Sequence, residues 1–230
     1  MYISELYEFL GELQQRQDRQ WFRDNRARYD HLRQLWLDDI DLLIAHMSQY
    51  WPEIKTLTSK AAAYRIYRDT RFSPDKSPFK GYFAAGLSPH GHSSHGAHKP
   101  GLYLQMGPGK LADGVESGLY GGIWQPFSAD LRKLRRAIVD NIEEFEEIMA
   151  APELNRLYPD WYGARLKTIP KGYDRNHPQA HLLRLLDYGR FMPADEKYFT
   201  DPAWPEKTAT DFRPLMPLLR FLSYSLEEEV

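Results

Sequence analysis

The middle of the chain constrains its fold more than any other part. Residues 64–72, 82–87, 101–106 and 119–124 each read as a short strand, and glycine, proline and serine fill the segments between them. Parallel neighbours need crossover connections that are usually helical, whereas loops of this kind suit an antiparallel meander of about four strands. Gly121 and Gly122 inside the last run point to a bulge or a close backbone approach.

Helical periodicity frames this region on both sides. Ile3, Leu6, Leu10 and Leu13 make one apolar stripe with Phe9 beside it. Asp18 is a predicted N-cap for a further helix, in which Tyr29, Leu32, Trp36, Ile40, Leu43, Met47 and Trp51 step by three or four residues until Pro52 ends it. Pro126 and Ser128 open a long helix striped by Leu131, Leu134, Ile138, Ile142, Phe145 and Met149, and a last helix from about Pro214 uses Leu215, Leu218, Leu219, Leu222 and Leu226. Residues 152–158 read as a short helix and 188–192 as extended. Such stripes need a common surface to bury against. The expected fold is therefore α+β: a single domain over residues 1–230, with a mostly antiparallel sheet from the middle of the chain packed against N- and C-terminal helices.

On the long helix Arg132, Lys133, Arg135 and Arg136 crowd the first half, and Glu143, Glu144, Glu146 and Glu147 the second. That order opposes the helix dipole. It reads as a solvated face, with a use for the basic end as the alternative.

Composition narrows the function classes. With 42% hydrophobic, 14% aromatic and 27% charged residues the chain lies far from the disordered regime. The net charge of −2 argues against general nucleic-acid coating. No cysteine is present, which excludes disulfides, thiolate zinc sites and cysteine nucleophiles. The first residues carry an acid where a signal peptide carries bases, and no apolar run approaches the length of a membrane span. The expectation is a cytoplasmic protein with no membrane partner.

The densest chemistry lies in residues 63–82, where Arg65, Arg68, Arg71, Lys76 and Lys80 interleave with Asp69, Asp75 and aromatics. In the first half Tyr64, Ile66, Arg68, Thr70 and Phe72 share one face, and Arg65, Tyr67, Asp69 and Arg71 the other. Pro74 and Pro78 turn the second half into a loop, with Ser73, Asp75 and Ser77 as local hydrogen-bonding groups. Five cations against two acids leave three positive charges without a local partner. One reading is an anion site formed by Arg65, Arg68, Arg71, Ser73, Lys76 and Lys80, with Lys171 added from a second polar stretch. The other is an internal salt-bridge network in which Asp69 and Asp75 are structural partners of Arg65, Arg68 or Arg71. Arg68 shares the apolar face, and a buried guanidinium requires a partner.

The run Arg-Ile-Tyr-Arg-Asp-Thr-Arg-Phe-Ser-Pro-Asp-Lys-Ser-Pro-Phe-Lys over residues 65–80 closely resembles the hallmark of a family found mainly in bacteria, catalogued as Domain of Unknown Function 2461. Trp21-Phe22, Pro100-Gly101-Leu102-Tyr103 before Gly121-Gly122-Ile123-Trp124, and Pro170-Lys171-Gly172-Tyr173-Asp174 with His177-Pro178 follow the same pattern in the same order. The resemblance implies a single α+β domain and brings no activity, cofactor or catalytic residue. The stretch from His90 to His98 departs from the family pattern.

Elsewhere, His177 is the candidate general acid or base, set against a plain Pro-Gly turn, since no triad partner follows from spacing. His90, His92, His95 and His98 invite a divalent metal, yet the glycine and serine around them make a selective site a poor fit, so no metal and no cofactor are expected. Three function classes stay open: a binder or enzyme of a small phosphate- or carboxylate-bearing ligand, a nucleic-acid-contacting module, and an interaction scaffold. The sequence specifies no oligomeric state.

Overall fold

The structure, a computed structural model, describes residues 2–71, 75–91, 98–109 and 116–227. Phe72, Ser73, His92 and His95 lie outside the described residues. In chain order the elements are α1 (Tyr2–Arg16), α2 (Arg19–Asp24), α3 (Arg26–Met47), α4 (Ser59–Ala62), β1 (Phe83–Leu87), β2 (Gly101–Met106), β3 (Gly118–Ile123), α5 (Ser128–Asp140), α6 (Ile142–Met149), α7 (Pro152–Leu157), β4 (Trp161–Tyr162), α8 (Ala180–Leu183), β5 (Tyr188–Pro193), α9 (Glu196–Phe199), α10 (Trp204–Phe212) and α11 (Met216–Glu227). The five strands form one antiparallel sheet in the order β1-β2-β3-β5-β4, flanked by the N- and C-terminal helices, which is the expected α+β class. Among the described residues no helix is long and apolar enough to cross a membrane.

Three of the four expected strands form as read. Of that expected strand over 64–72, the described residues 64–71 do not form a regular strand. They make isolated bridges, Ala63 with Ala85 and Tyr67 with Phe79. Proline lacks the donor that a ladder needs, and Pro78 stands beside the Tyr67–Phe79 bridge, where the pairing would have to extend. The sheet is completed instead by β5 and the two-residue β4.

The chain divides into two compact units. Unit 1 comprises Met1–His92, Tyr103–Leu119 and Pro193–Thr210; unit 2 comprises Ser93–Leu102, Tyr120–Met192 and Asp211–Val230. In unit 1 the stripe of α1 is fully buried, and Trp36 of α3 meets Phe83 of β1 edge-on at 5.2 Å. Asp18 does cap a helix, accepting from the Trp21 N–H at 2.6 Å, but the helix expected to run from it through Tyr29 to Trp51 divides at Asn25 into the short α2 and the striped α3, which ends at Met47.

Unit 2 is built on α5, α6 and α11, with Phe145 and Phe221 packed at 5.1 Å. The expected long helix breaks at Asn141, whose φ of −123° and ψ of 43° are not helical. The break changes the electrostatics read from the sequence. Glu143 and Glu144 now lie in the first turn of α6, where the dipole favours them. Arg135 does not join a surface stripe either: it is buried, and its Nη2 donates to the Leu185 carbonyl at 2.9 Å.

The Gly-Gly-Ile-Trp run owes its composition to space. Gly122 has φ of 140°, and a Cβ there would stand 2.1 Å from the Tyr188 carbonyl oxygen. Asp187, buried beside it, accepts from the Gln125 N–H at 2.6 Å and the Ala164 N–H at 3.1 Å. Arg190 of β5 is also buried, and its Nη1 donates to Asn155 Oδ1 and to the carbonyls of Tyr158 and Pro159 at 3.0, 2.6 and 3.1 Å.

Candidate functional site

The basic stretch of unit 1 folds as a hairpin whose backbone is pinned at several points. The Arg68 N–H donates to the Pro78 carbonyl at 3.0 Å, and the Lys80 N–H to the Ile66 carbonyl at 2.8 Å. Asp75 closes a local turn, accepting from the Ser77 N–H at 2.9 Å and from the Ser77 hydroxyl at 2.6 Å. Phe79 is buried and stacks on Phe22 at 4.4 Å, while its N–H donates to Gln17 Oε1 at 3.1 Å. Gln14 Nε2 donates to the carbonyls of Gly81 and Pro108 at 2.8 and 3.0 Å. Gly81 leaves room for that side chain, since a Cβ would fall 2.1 Å from Gln14 Cγ. The corner from α1 to α2 thus holds the hairpin base in place.

The expected alternation appears in the side chains. Arg65, Tyr67, Asp69 and Arg71 are exposed, whereas Ile66 is buried. Arg68 turns inward, its side chain 9% exposed, with Nη1 3.2 Å from an Asp75 oxygen. Arg71 grips Asp69 with two parallel bonds, Nε to Oδ1 at 3.0 Å and Nη2 to Oδ2 at 2.7 Å. Those bonds, with the Arg71 N–H, hold the Asp69 carboxyl down at about 2. Asp75 is lowered too, first by the Ser77 hydroxyl and N–H and last by the field of Arg68. Lys76 Nζ donates to the Thr70 carbonyl at 2.8 Å. Lys80 Nζ lies over the rings of Tyr64 and Tyr82, at 5.1 and 5.9 Å from their centroids.

Both acids of the hairpin are therefore engaged locally, each by one arginine. Among the described residues, neither Arg65 nor Lys76 makes an ion pair.

A row of polar groups leads from Lys80 into unit 1, and sequence reasoning did not find it. Tyr64 meets Tyr103 edge-on at 5.8 Å. The Tyr103 hydroxyl donates to Gln105 Oε1 at 2.7 Å, and the Ser117 hydroxyl donates to the Gln105 carbonyl at 3.1 Å. Tyr7 lies 3.4 Å from Ser117 Oγ. Burial raises the phenol of Tyr64 and pushes that of Tyr7 up to about 12, so both are neutral donors at ordinary pH. The signal was local: Tyr103 and Gln105 share one face of an otherwise apolar strand.

The second polar stretch belongs to unit 2. Lys171 is exposed on a turn in which Gly172 has φ of 102°. Asp174 accepts from the Asn176 N–H at 2.7 Å, and His177 Nδ1 accepts from the Gln179 N–H at 3.2 Å. The imidazole thus serves the backbone of its own turn, and its ring meets Tyr173 edge-on at 6.0 Å. His98 Nδ1 lies 2.8 Å from the Gln125 carbonyl, with its ring 4.3 Å from Phe127. Among the described residues no three side chains of the metal-binding kind cluster together.

Comparison with known proteins agrees with the resemblance noted from the residues. The model of the family described as conserved hypothetical protein (DUF2461) matches residues 5–221, and the chain belongs to that family. Over 102 residues it is 32% identical to the N,N-dimethylformamidase alpha subunit of Paracoccus aminophilus. That match covers 43% of this chain and 62% of the relative's length. No solved structure matches the chain significantly.

Proposed function

We propose that this member of the DUF2461 family binds a small phosphate- or carboxylate-bearing ligand at the basic hairpin of unit 1. The observation that supports this reading is the charge arrangement. Five cations stand on residues 65–80 with two carboxylates, and each carboxylate already has an arginine. Arg65 and Lys76 are both exposed, on arms whose backbone is tied by the Arg68–Pro78 and Lys80–Ile66 hydrogen bonds. Preorganised cations of this kind bind anions without the cost of ordering a loop. Arg68 and Asp75 then act as scaffold, and Arg65, Lys76 and Lys80 as the contacts. Lys171 is not needed for this reading.

Thermal melts with phosphate, sulfate, nucleotides and sugar phosphates test it. A ligand at a hundredfold excess over its dissociation constant stabilises the fold by about 2.7 kcal/mol. At least one of these anions should raise the wild-type midpoint, and the rise should vanish in Arg65→Ala with Lys76→Ala. Equal shifts in both proteins, or none, would leave the hairpin a structural network.

The likeness to an amidase alpha subunit favours a second reading, in which this chain also works as one subunit of a larger assembly. Native mass spectrometry of the protein purified from its own source tests that reading. A mass equal to the chain alone contradicts it.

A further inference from the structure

Arg135 of α5 is a buried cation that no carboxylate among the described residues balances. The residue is 6% exposed. Its Nη2 donates to the Leu185 carbonyl at 2.9 Å, and the guanidinium lies at the hydroxyl of buried Tyr188, which passes its own proton to the Leu182 carbonyl at 3.0 Å. Nε is buried with no acceptor. A guanidinium carries five N–H donors, and leaving one dry without a partner is costly. Arg190 of the same unit shows the contrast. Its Nη1 donates to three oxygens and its Nη2 reaches Met149 Sδ at 3.6 Å. Nε of Arg190 lacks an acceptor as well, but the face of the Trp161 ring lies 4.9 Å from that guanidinium. Among the described residues Arg135 has no such ring.

Tyr173 brings the turn of residues 170–178 against this part of α5. Desolvation raises its phenol, and the fields of Arg135, Asp140 and Arg136 act on it, which sets the hydroxyl close to those three side chains. Arg136 and Asp140 hold each other at 3.4 Å. The Tyr173 ring meets that of His177 edge-on at 6.0 Å. Because His177 Nδ1 accepts from the Gln179 N–H, the neutral imidazole carries its proton on Nε2, which is then a donor. The hydrogen bonds of the turn close within residues 174–180, and among the described residues none ties it to α5. A guest between the turn and Arg135 therefore breaks no hydrogen bond.

We propose that Arg135 anchors a binding site for a small carboxylate, with the Tyr173 hydroxyl and His177 Nε2 as further donors. Charge selects this ligand. A carboxylate brings one negative charge to one buried positive charge, and its two oxygens match the edge of a guanidinium. A phosphate brings about two negative charges, and burial penalises the excess. Neutral donors at Tyr173 and His177 suit an acceptor and add no charge of their own. This inference does not rest on anion binding at the hairpin, since all of its residues belong to unit 2.

NMR of the arginine Nε–H groups tests it, with the Arg135 resonance assigned through its own side-chain carbons. The whole chain is titrated with acetate, lactate and succinate at an ionic strength held constant with sodium chloride. At least one carboxylate should move the Arg135 Nε–H saturably, together with the amides of Tyr173 and His177. Tyr173→Phe removes one donor, and His177→Asn removes Nε2 while keeping an acceptor for the Gln179 N–H. Both side chains are half-exposed, so neither change endangers folding. Each should weaken that carboxylate about tenfold, as loss of a hydrogen bond to a charged group does. Arg135→Met should show no carboxylate response in thermal melts, and if it does not fold the two turn variants still decide. No saturable movement with any of the three carboxylates overturns the proposal. So does an equal movement with chloride alone, affinity unchanged in both turn variants, or a response to phosphate in place of the carboxylates.

Discussion

The basic hairpin of unit 1 and the Gly-Gly-Ile-Trp strand of unit 2 are both dense, unusual runs of sequence, yet different physics specifies them. In the hairpin the specification is charge: Arg71 on Asp69, Arg68 on Asp75, Lys80 over two tyrosines. In the strand it is room, because Gly122 passes against Tyr188 and Gly189 where no side chain fits. Their cations differ in the same way. Arg190 is buried, with its Nη1 turned to the neutral carbonyl oxygen of Tyr158, whereas Arg65 and Lys76 stand exposed at the surface of unit 1. A run specified by space is costly to change and offers a ligand nothing. A run specified by surface charge is cheap to change and keeps its chemistry available.

Substitutions ranked by cost sharpen that contrast. Gly122→Ala should be the most damaging, since its Cβ would meet backbone atoms at 2.1 and 2.4 Å and the residue would keep a left-handed φ. The loss should be at least about 3 kcal/mol, or roughly 6–12 °C in the melting midpoint. Denaturant unfolding that finds less than 1 kcal/mol would break the claim that space specifies the strand. Arg190→Met should cost about 2–3 kcal/mol in denaturant unfolding, because the carbonyl of buried Tyr158 would be left without its donor. Burial already depresses the guanidinium's own affinity for its proton, so relief of that desolvation offsets part of the loss.

Arg68→Ala should cost less, about 1–2 kcal/mol. Asp75 keeps the Ser77 hydroxyl and N–H, and its side chain is 37% exposed, so the carboxylate is not stranded. A loss above 4 kcal/mol in urea unfolding would mean that the hairpin is a buried network after all. Arg65→Ala with Lys76→Ala should change stability by no more than about 0.5 kcal/mol while removing the response to anions. The smallest effect concerns pH. The Asp69 carboxyl lies at about 2 against an ordinary 3.8, a depressed value, so the clamp to Arg71 contributes above that ordinary range and is lost as pH falls through about 2. A carboxyl titration by NMR should place its midpoint there, and a midpoint near 3.8 would show the clamp to be open in solution.

Much of the fold was legible in the sequence because its signals are local. The stripe of α1, the Asp18 cap and the runs that become β1, β2 and β3 all depend on neighbours within a few residues. The break at Asn141 was not legible, since Ile138, Ile142 and Phe145 continue a helical stripe straight through it. Nor was the completion of the sheet by Trp161–Tyr162, for two residues carry no period. In the hairpin the inward turn of Arg68 followed from alternation. Which arginine takes which carboxylate did not, because Asp69 and Asp75 lie within reach of several, and only the folded turn at Ser77 decides. The row through Tyr103, Gln105, Ser117 and Tyr7 joins residues more than a hundred positions apart, and no spacing rule reaches that far.

The central claim is that the exposed cations of the hairpin hold an anion, and mapping amide shifts during a phosphate or pyrophosphate titration tests it most directly. The account expects saturable shifts of the backbone amides in residues 65–71 and 75–80, with Arg65→Ala and Lys76→Ala together abolishing them. Saturable shifts confined to residues outside the hairpin, or no saturable shift at all, would contradict it.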